Sequence, residues 1–369
     1  MTPLIPGRRS AAFACGLLAL LLGAACRDPV PGAPPAPPPP SPAEAPPPPP
    51  AHLPVVIDLH TDTLAQAFSR GVGLDDPDLE AGLPALRAGG FTAVLYADWP
   101  GKRTQARDRA GALLEFAHRE DARLEAMEIA RDPDHLQAIV DRGHLAVVLG
   151  LEGGHGLEPG GLATLDRWFE AGLRVLGPAW SFSTRYAGSS GDQGGGLTEE
   201  GRALVARAAA LGVLLDVSHL SDAATLEVCQ SSAVPVIASH SGARAVHPHP
   251  RNLTDDAIQC VAERGGVVGV VLHAPFLGPG AGVVRAADHA DHLRTVGGEA
   301  VVALGTDFDG WIRTPAGLAS EADLPALWAA LGDRGWSEAE IAGMQGANFL
   351  RAWRSVWAAR TPDPATATP

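Results

Sequence analysis

The chain has 369 residues, 46% of them apolar and 19% charged, a balance that supplies ample core material for a globular protein. Lys and Arg number 28 against 42 Asp and Glu, for a formal charge of −14, and no basic cluster is dense enough to follow a phosphate backbone. The balance excludes a nucleic-acid partner and argues against electrostatic adhesion to anionic lipid, so any membrane attachment must come from elsewhere in the chain.

At the start, Arg8 and Arg9 precede an apolar run from Ala11 to Ala25. That run is short for a bilayer span of about 20 residues, and its basic start and small-residue end predict a signal peptide over 1–25. Gly23-Ala24-Ala25-Cys26 resembles a bacterial lipobox, which implies lipid on Cys26 and a membrane anchor; plain secretion is the alternative. Arg27 stands where inner-membrane retention is associated with Asp, so the outer membrane of a bacterial envelope is the expected location. Residues 26–53 are rich in proline, which fixes φ and donates no hydrogen bond, so this stretch reads as an extended, disordered linker. A short disordered tail is expected over 359–369.

Residues 54–358 alternate short β-rich runs with longer helical ones. The predicted strands are 55–60, 91–96, 145–152, 173–179, 213–219, 235–240, 266–272 and 301–306. Several are near-continuous apolar runs, as parallel strands covered on both faces must be. Glu199–Leu211 places apolar residues at helical spacing, with Thr198 as N-cap and Gly212 as the stop. Ser337–Trp357 predicts one or two closing helices. Eight strands with intervening helices predict a (β/α)8 TIM-like barrel, a doubly wound open sheet being the alternative. Cys229 and Cys260 either pair, in an exported protein, or remain separate thiols.

Polar residues cluster where these strands end: His60 and Asp62 after the first, Glu152 at the third, His219 and His240 at the fifth and sixth, Asp307 after the eighth. In a barrel all those ends face one mouth, where active sites sit. Imidazole and carboxylate are ligand types for zinc-like ions. Any one of these residues alone is weak evidence; their shared position carries the inference. Other histidines, among them His118, His135, His289 and His292, lie on helical stretches and read as solvated. Gly188–Gly196 reads as a mobile loop over the mouth and lacks the G-K-[ST] of a phosphate loop.

At these residues the sequence resembles the membrane dipeptidase family. The matching blocks are VIDLHTDTL, GLEGGHG (150–156), GVLLDVSHLSDA (212–223), PVIASHSGARAVHPHPRNL (235–253) and ALGTDFDG (303–310), in the family's order. The resemblance implies two zinc ions per chain, one held by His60 and Asp62, the other by His219 and His240, with Glu152 bridging. It further implies attack by a bridging hydroxide, Asp307 as the proton-handling residue, and Arg251 as the group that takes the carboxylate of a dipeptide substrate. Trp180 stands where prominent members carry a histidine assigned to the developing oxyanion, which leaves oxyanion stabilisation and substrate range open. Ser218, Ser239 and Ser241 read as supporting or packing residues, not nucleophiles. Another metal-dependent amidohydrolase (an N-acyl amino acid deacylase or a lactonase) and a noncatalytic envelope lipoprotein are the rival readings. A nucleotide-binding role fails for want of a G-x-G-x-x-G after the first strand. Self-association as a homodimer is left open.

Overall fold

The computed structural model describes residues 52–102 and 106–361. The expected signal peptide, Cys26, almost all of the linker and the end of the tail lie outside them.

Among the described residues nine strands run in chain order: β1 (Ile57–Thr61), β2 (Ala93–Asp98), β3 (Met127–Ile129), β4 (Leu145–Glu152), β5 (Leu173–Gly177), β6 (Leu214–Leu215), β7 (Ile237–Ser241), β8 (Val267–Val270) and β9 (Val302–Leu304). All pairings are parallel. One sheet has the order β1-β2-β4-β5-β6 with β3 beside β4, and a second has β7-β8-β9. Isolated parallel bridges, Asp216 to Ile237 and Thr61 to Phe308, link the edges of the two sheets, so the sheet curls into a barrel-like form with helices around it.

The strand period of two explains the apolar runs. Leu59, Leu95, Val148, Val175 and Val267 point to one buried cluster, which the Asn348–Ala359 helix joins through Phe349 and Trp353. Their neighbours Val94, Tyr96, Val147, Leu149 and Val268 belong to a second cluster shared with the surrounding helices. Each strand therefore needs apolar side chains on both faces. The Glu199–Leu211 helix forms as read: the Thr198 hydroxyl accepts the Gly201 N–H, and Gly212 ends it at φ 82°.

The structure departs from the sequence reading in three places. β3 was not expected; only three residues long, with Glu128 at its centre, it pairs with Leu145–Val147 below the point where β5 joins β4. The Gly188–Gly196 stretch is tethered: the Ser190 N–H donates to the His219 carbonyl and the Ser189 hydroxyl to the Trp180 carbonyl. Its glycines permit this closeness, since a Cβ on Gly188 would lie 1.9 Å from the Gly195 oxygen. His289 is fully buried and its Nδ1 accepts the Ala243 N–H, while His118, His135 and His292 bond the Ala171 carbonyl, Glu128 and Asp255. Cys229 and Cys260 form a disulfide, Cα–Cα 6.2 Å, between the helices Asp222–Ser231 and Asp255–Glu263. Among the described residues no helix is long and apolar enough to cross a membrane.

Candidate metal centre

Because the strands are parallel, their C-terminal ends gather at one side, and the six expected residues meet there. Glu152 Oε1 lies 2.8 Å from His219 Nε2, 3.5 Å from His60 Nε2 and 3.6 Å from His240 Nε2. His60, Glu152 and His240 form one group able to hold a cation, and His60, Asp62 and Asp307 form another that shares His60. All six side chains are buried.

Two aspartates fix the backbone that carries these groups. The Asp58 carboxylate accepts the N–H groups of His60 and Thr306, both at 2.9 Å, tying β1 to the segment after β9. Asp216 accepts those of Ser218 and Ser239, again at 2.9 Å, tying the end of β6 to β7. These are the two seams where only isolated bridges close the ring. His219 and Asp307 both have φ 69°, a left-handed conformation uncommon for residues other than glycine and concentrated at functional sites.

Ser239 decides how two of the imidazoles face. Its hydroxyl donates its only hydrogen to Asp216 at 2.5 Å. It can therefore only accept from His60 Nδ1 at 3.0 Å and His240 Nδ1 at 2.8 Å. Both rings then carry a hydrogen on Nδ1 and turn Nε2 toward Glu152. His240 Nε2 approaches His219 Nε2 to 3.0 Å, and His60 Nε2 and Asp62 Oδ1 are buried with no hydrogen-bond partner. Three ring nitrogens gathered on one carboxylate, with buried, unpartnered ligand atoms of His60 and Asp62 beside them, fit a divalent cation.

The charges agree. Burial alone would lower the His60 pKa, but the carboxylates of Glu152, Asp62 and Asp307 outweigh it and push it up to about 10. Burial and Arg251 lower His219 to about 4, and burial and His60 hold His240 well below its usual value. Burial opposes ionisation of Glu152, yet His60 and His219 keep it below the ordinary carboxylate range. Asp307 rises to about 7 through burial and the Glu152 charge, while burial and the same charge push Asp62 up.

The centre opens into a cavity of about 350 Å³ lined in part by Asp62, Glu152, Asp307, Trp180, Trp99 and Arg251. Arg251 is 8% exposed, and its Nη2 donates only to the His240 carbonyl, at 3.2 Å. Its Nε has no hydrogen-bond partner among the described residues. The guanidinium sits 5.5 Å from the Phe276 ring. Trp180 is half-buried, its ring 6.1 Å from that of His219. Trp99, Trp311, His273 and Phe276 also line this cavity and were not anticipated. The supporting aspartates did have a signal, an Asp two or three residues ahead of a strand-end histidine in both Asp58-Leu59-His60 and Asp216-Val217-Ser218-His219.

The sequence pattern described as Membrane dipeptidase (Peptidase family M19) matches residues 51–366. The chain belongs to the membrane dipeptidase family. It is 34% identical over 289 residues to Dipeptidase 3 of Rattus norvegicus, a match covering 75% of this chain and 58% of that protein, so the chain spans little more than half the length of that relative. Among solved structures it is similar to a metallo-peptidase described as dipeptidase AC, at TM-score 0.77 and 29% identity over 82% of this chain and 98% of that one. It is also similar to a metallo-peptidase from Rhodobacter sphaeroides liganded with a phosphinate mimic of the dipeptide L-Ala-D-Ala, at TM-score 0.76 and 28% identity over 83% and 100%.

Proposed function

We propose that this family member is a dipeptidase dependent on two zinc ions, built on a closed (β/α)8 barrel and held at the cell envelope by lipid on Cys26. The carrying observation is the convergence of three imidazoles on Glu152 across one cavity from an unpaired, buried guanidinium, Arg251. The family relatives named as dipeptidases, and the dipeptide mimic bound by the Rhodobacter sphaeroides metallo-peptidase, support the same reading.

His60 and Asp62 would hold one ion, His219 and His240 the other, with Glu152 between them. Bound zinc supplies Lewis acidity and makes hydroxide available near neutral pH. Asp307 takes a proton on its carboxylate and returns it to the leaving amine, a role that fits its buried place beside His60 and Asp62 at the cavity. Arg251 grips the substrate's C-terminal carboxylate through its planar fork, which favours substrates ending one residue past the scissile bond. Trp180 walls the cavity beside His219.

The test is metal content together with hydrolysis of L,L- and L,D-dipeptides, with tripeptides and N-acetyl amino acids as controls. Two zinc ions per chain and cleavage confined to dipeptides are expected; one ion or fewer after zinc repletion, or cleavage of the controls alone, would refute the proposal. For the anchor, Cys26→Ser should move the full chain from the membrane to the soluble fraction with activity retained, and a variant that still sediments with membranes would refute lipidation.

A further inference from the structure

Three indoles line the cavity that Arg251 shares. Trp99, just beyond β2, packs its ring 5.2 Å from Trp180 and 5.4 Å from Trp311. Trp311 is 55% exposed, one of only three large apolar side chains left so open among the described residues. Its backbone is left-handed, at φ 53°. An open indole and a strained backbone at one residue mark a position kept for contact with something outside the fold. Asp307 and Asp309 in the same loop are left-handed too, at φ 69° and 62°. The turn that brings Asp307 to the centre thus also carries Trp311 to the mouth.

Trp99 and Trp311 line a second cavity as well, of about 540 Å³, together with Phe68 and Arg109. The Arg109 guanidinium lies over the Trp99 and Phe68 rings at 5.8 Å and 5.9 Å. There is room, and a stacking surface, for a bulky flat group beyond the space at the metal centre.

Around the ring of strands β2 stands directly across from β7, and Arg251 follows β7. A dipeptide whose carboxylate is held by Arg251, the reading proposed above and the one on which this inference rests, therefore extends its amino-terminal residue toward Trp99. We propose that Trp99, Trp180 and Trp311 form a subsite for the side chain of that residue, so that the preferred substrates are dipeptides with an aromatic amino-terminal residue.

The experiment measures kcat/KM of the zinc-loaded full chain on Gly-Ala, Leu-Ala, Phe-Ala and Ala-Phe, for the wild type, Trp311→Ala and Trp311→Phe, with zinc content checked for each. Burying a benzyl group should favour Phe-Ala over Gly-Ala by about 10- to 100-fold. Trp311→Ala should shrink that ratio by about tenfold, and Trp311→Phe should keep it within about threefold of the wild type. A wild type that cleaves Gly-Ala and Phe-Ala equally well, that prefers Ala-Phe to Phe-Ala, or whose Trp311→Ala variant loses both activities in proportion, would overturn the subsite while leaving the dipeptidase reading intact. Failure to cleave any of the four would instead remove that reading, and the subsite with it.

Discussion

Under the proposed function, replacing Arg251 by Ala should separate substrate recognition from the metal chemistry. The guanidinium is 8% exposed and makes one backbone contact, to the His240 carbonyl at 3.2 Å, so most of its donors are free for a ligand. A charge-assisted hydrogen bond contributes about 1.5–3 kcal/mol, which corresponds to roughly a 10- to 150-fold change in kcat/KM. Burial removes competing water and places the effect toward the upper end of that range. In the proposed role the carboxylate would be held in the ground state and the transition state alike, so the loss should fall chiefly on KM. Arg251→Lys keeps the charge but not the two-pronged geometry and should recover only part of the loss. Steady-state kinetics on a dipeptide and its C-terminal amide, with zinc analysis of each variant, give the readout. The wild type should strongly favour the free acid, and Arg251→Ala should bring the two close together. A variant that still prefers the free acid by the wild-type margin would refute the assignment of Arg251, whatever its absolute rate.

Asp307→Asn keeps the shape of the side chain but cannot accept a proton; kcat should fall by roughly 10²- to 10⁴-fold with zinc content close to wild type, and a near-normal kcat would contradict the role. Ser239→Ala removes the acceptor shared by His60 Nδ1 and His240 Nδ1. Zinc affinity, measured by competition with a chromophoric chelator, should drop by about 10- to 100-fold, and an unchanged affinity would show that the rings are oriented by something else. Zinc binding should also tighten as pH rises. His60, raised to about 10, holds an extra proton throughout the neutral range, and binding must expel it. The sign is therefore an increase of about tenfold in affinity per pH unit for each proton released between about pH 6 and 8, and a flat profile would count against His60 as a ligand.

What could be read from the sequence depended on whether a residue's role followed from its place on a strand. The eight expected strands are all present because each is apolar on both faces, as the strand positions of Val147 and Val148 in opposite clusters illustrate. His60, Glu152, His219, His240 and Asp307 could be grouped before any coordinates because strand ends in a barrel share one side. β3 left no such trace, since three residues give no period. His289 was misread, although its neighbours Ala286, Ala290 and Leu293 form a buried stripe to which it belongs by helical spacing. Trp99 and Trp311 were beyond reach of pattern: their meeting depends on the left-handed turn from Asp307 to Trp311, which no local propensity announces.

Asp58 and Asp216 show how closely the fold and the centre are joined. Regular pairing stops at two seams, and at each a buried aspartate accepts N–H groups from both sides. At the first seam the stapled backbone is that of His60, and at the second that of Ser239, which in turn holds His60 and His240 by their Nδ1 atoms. The ring is completed by side chains where the backbone ladder does not complete it, and those same side chains orient the imidazoles that gather on Glu152. Closure of the barrel and order at the centre therefore rest on the same hydrogen bonds, so a change at either aspartate should loosen both together.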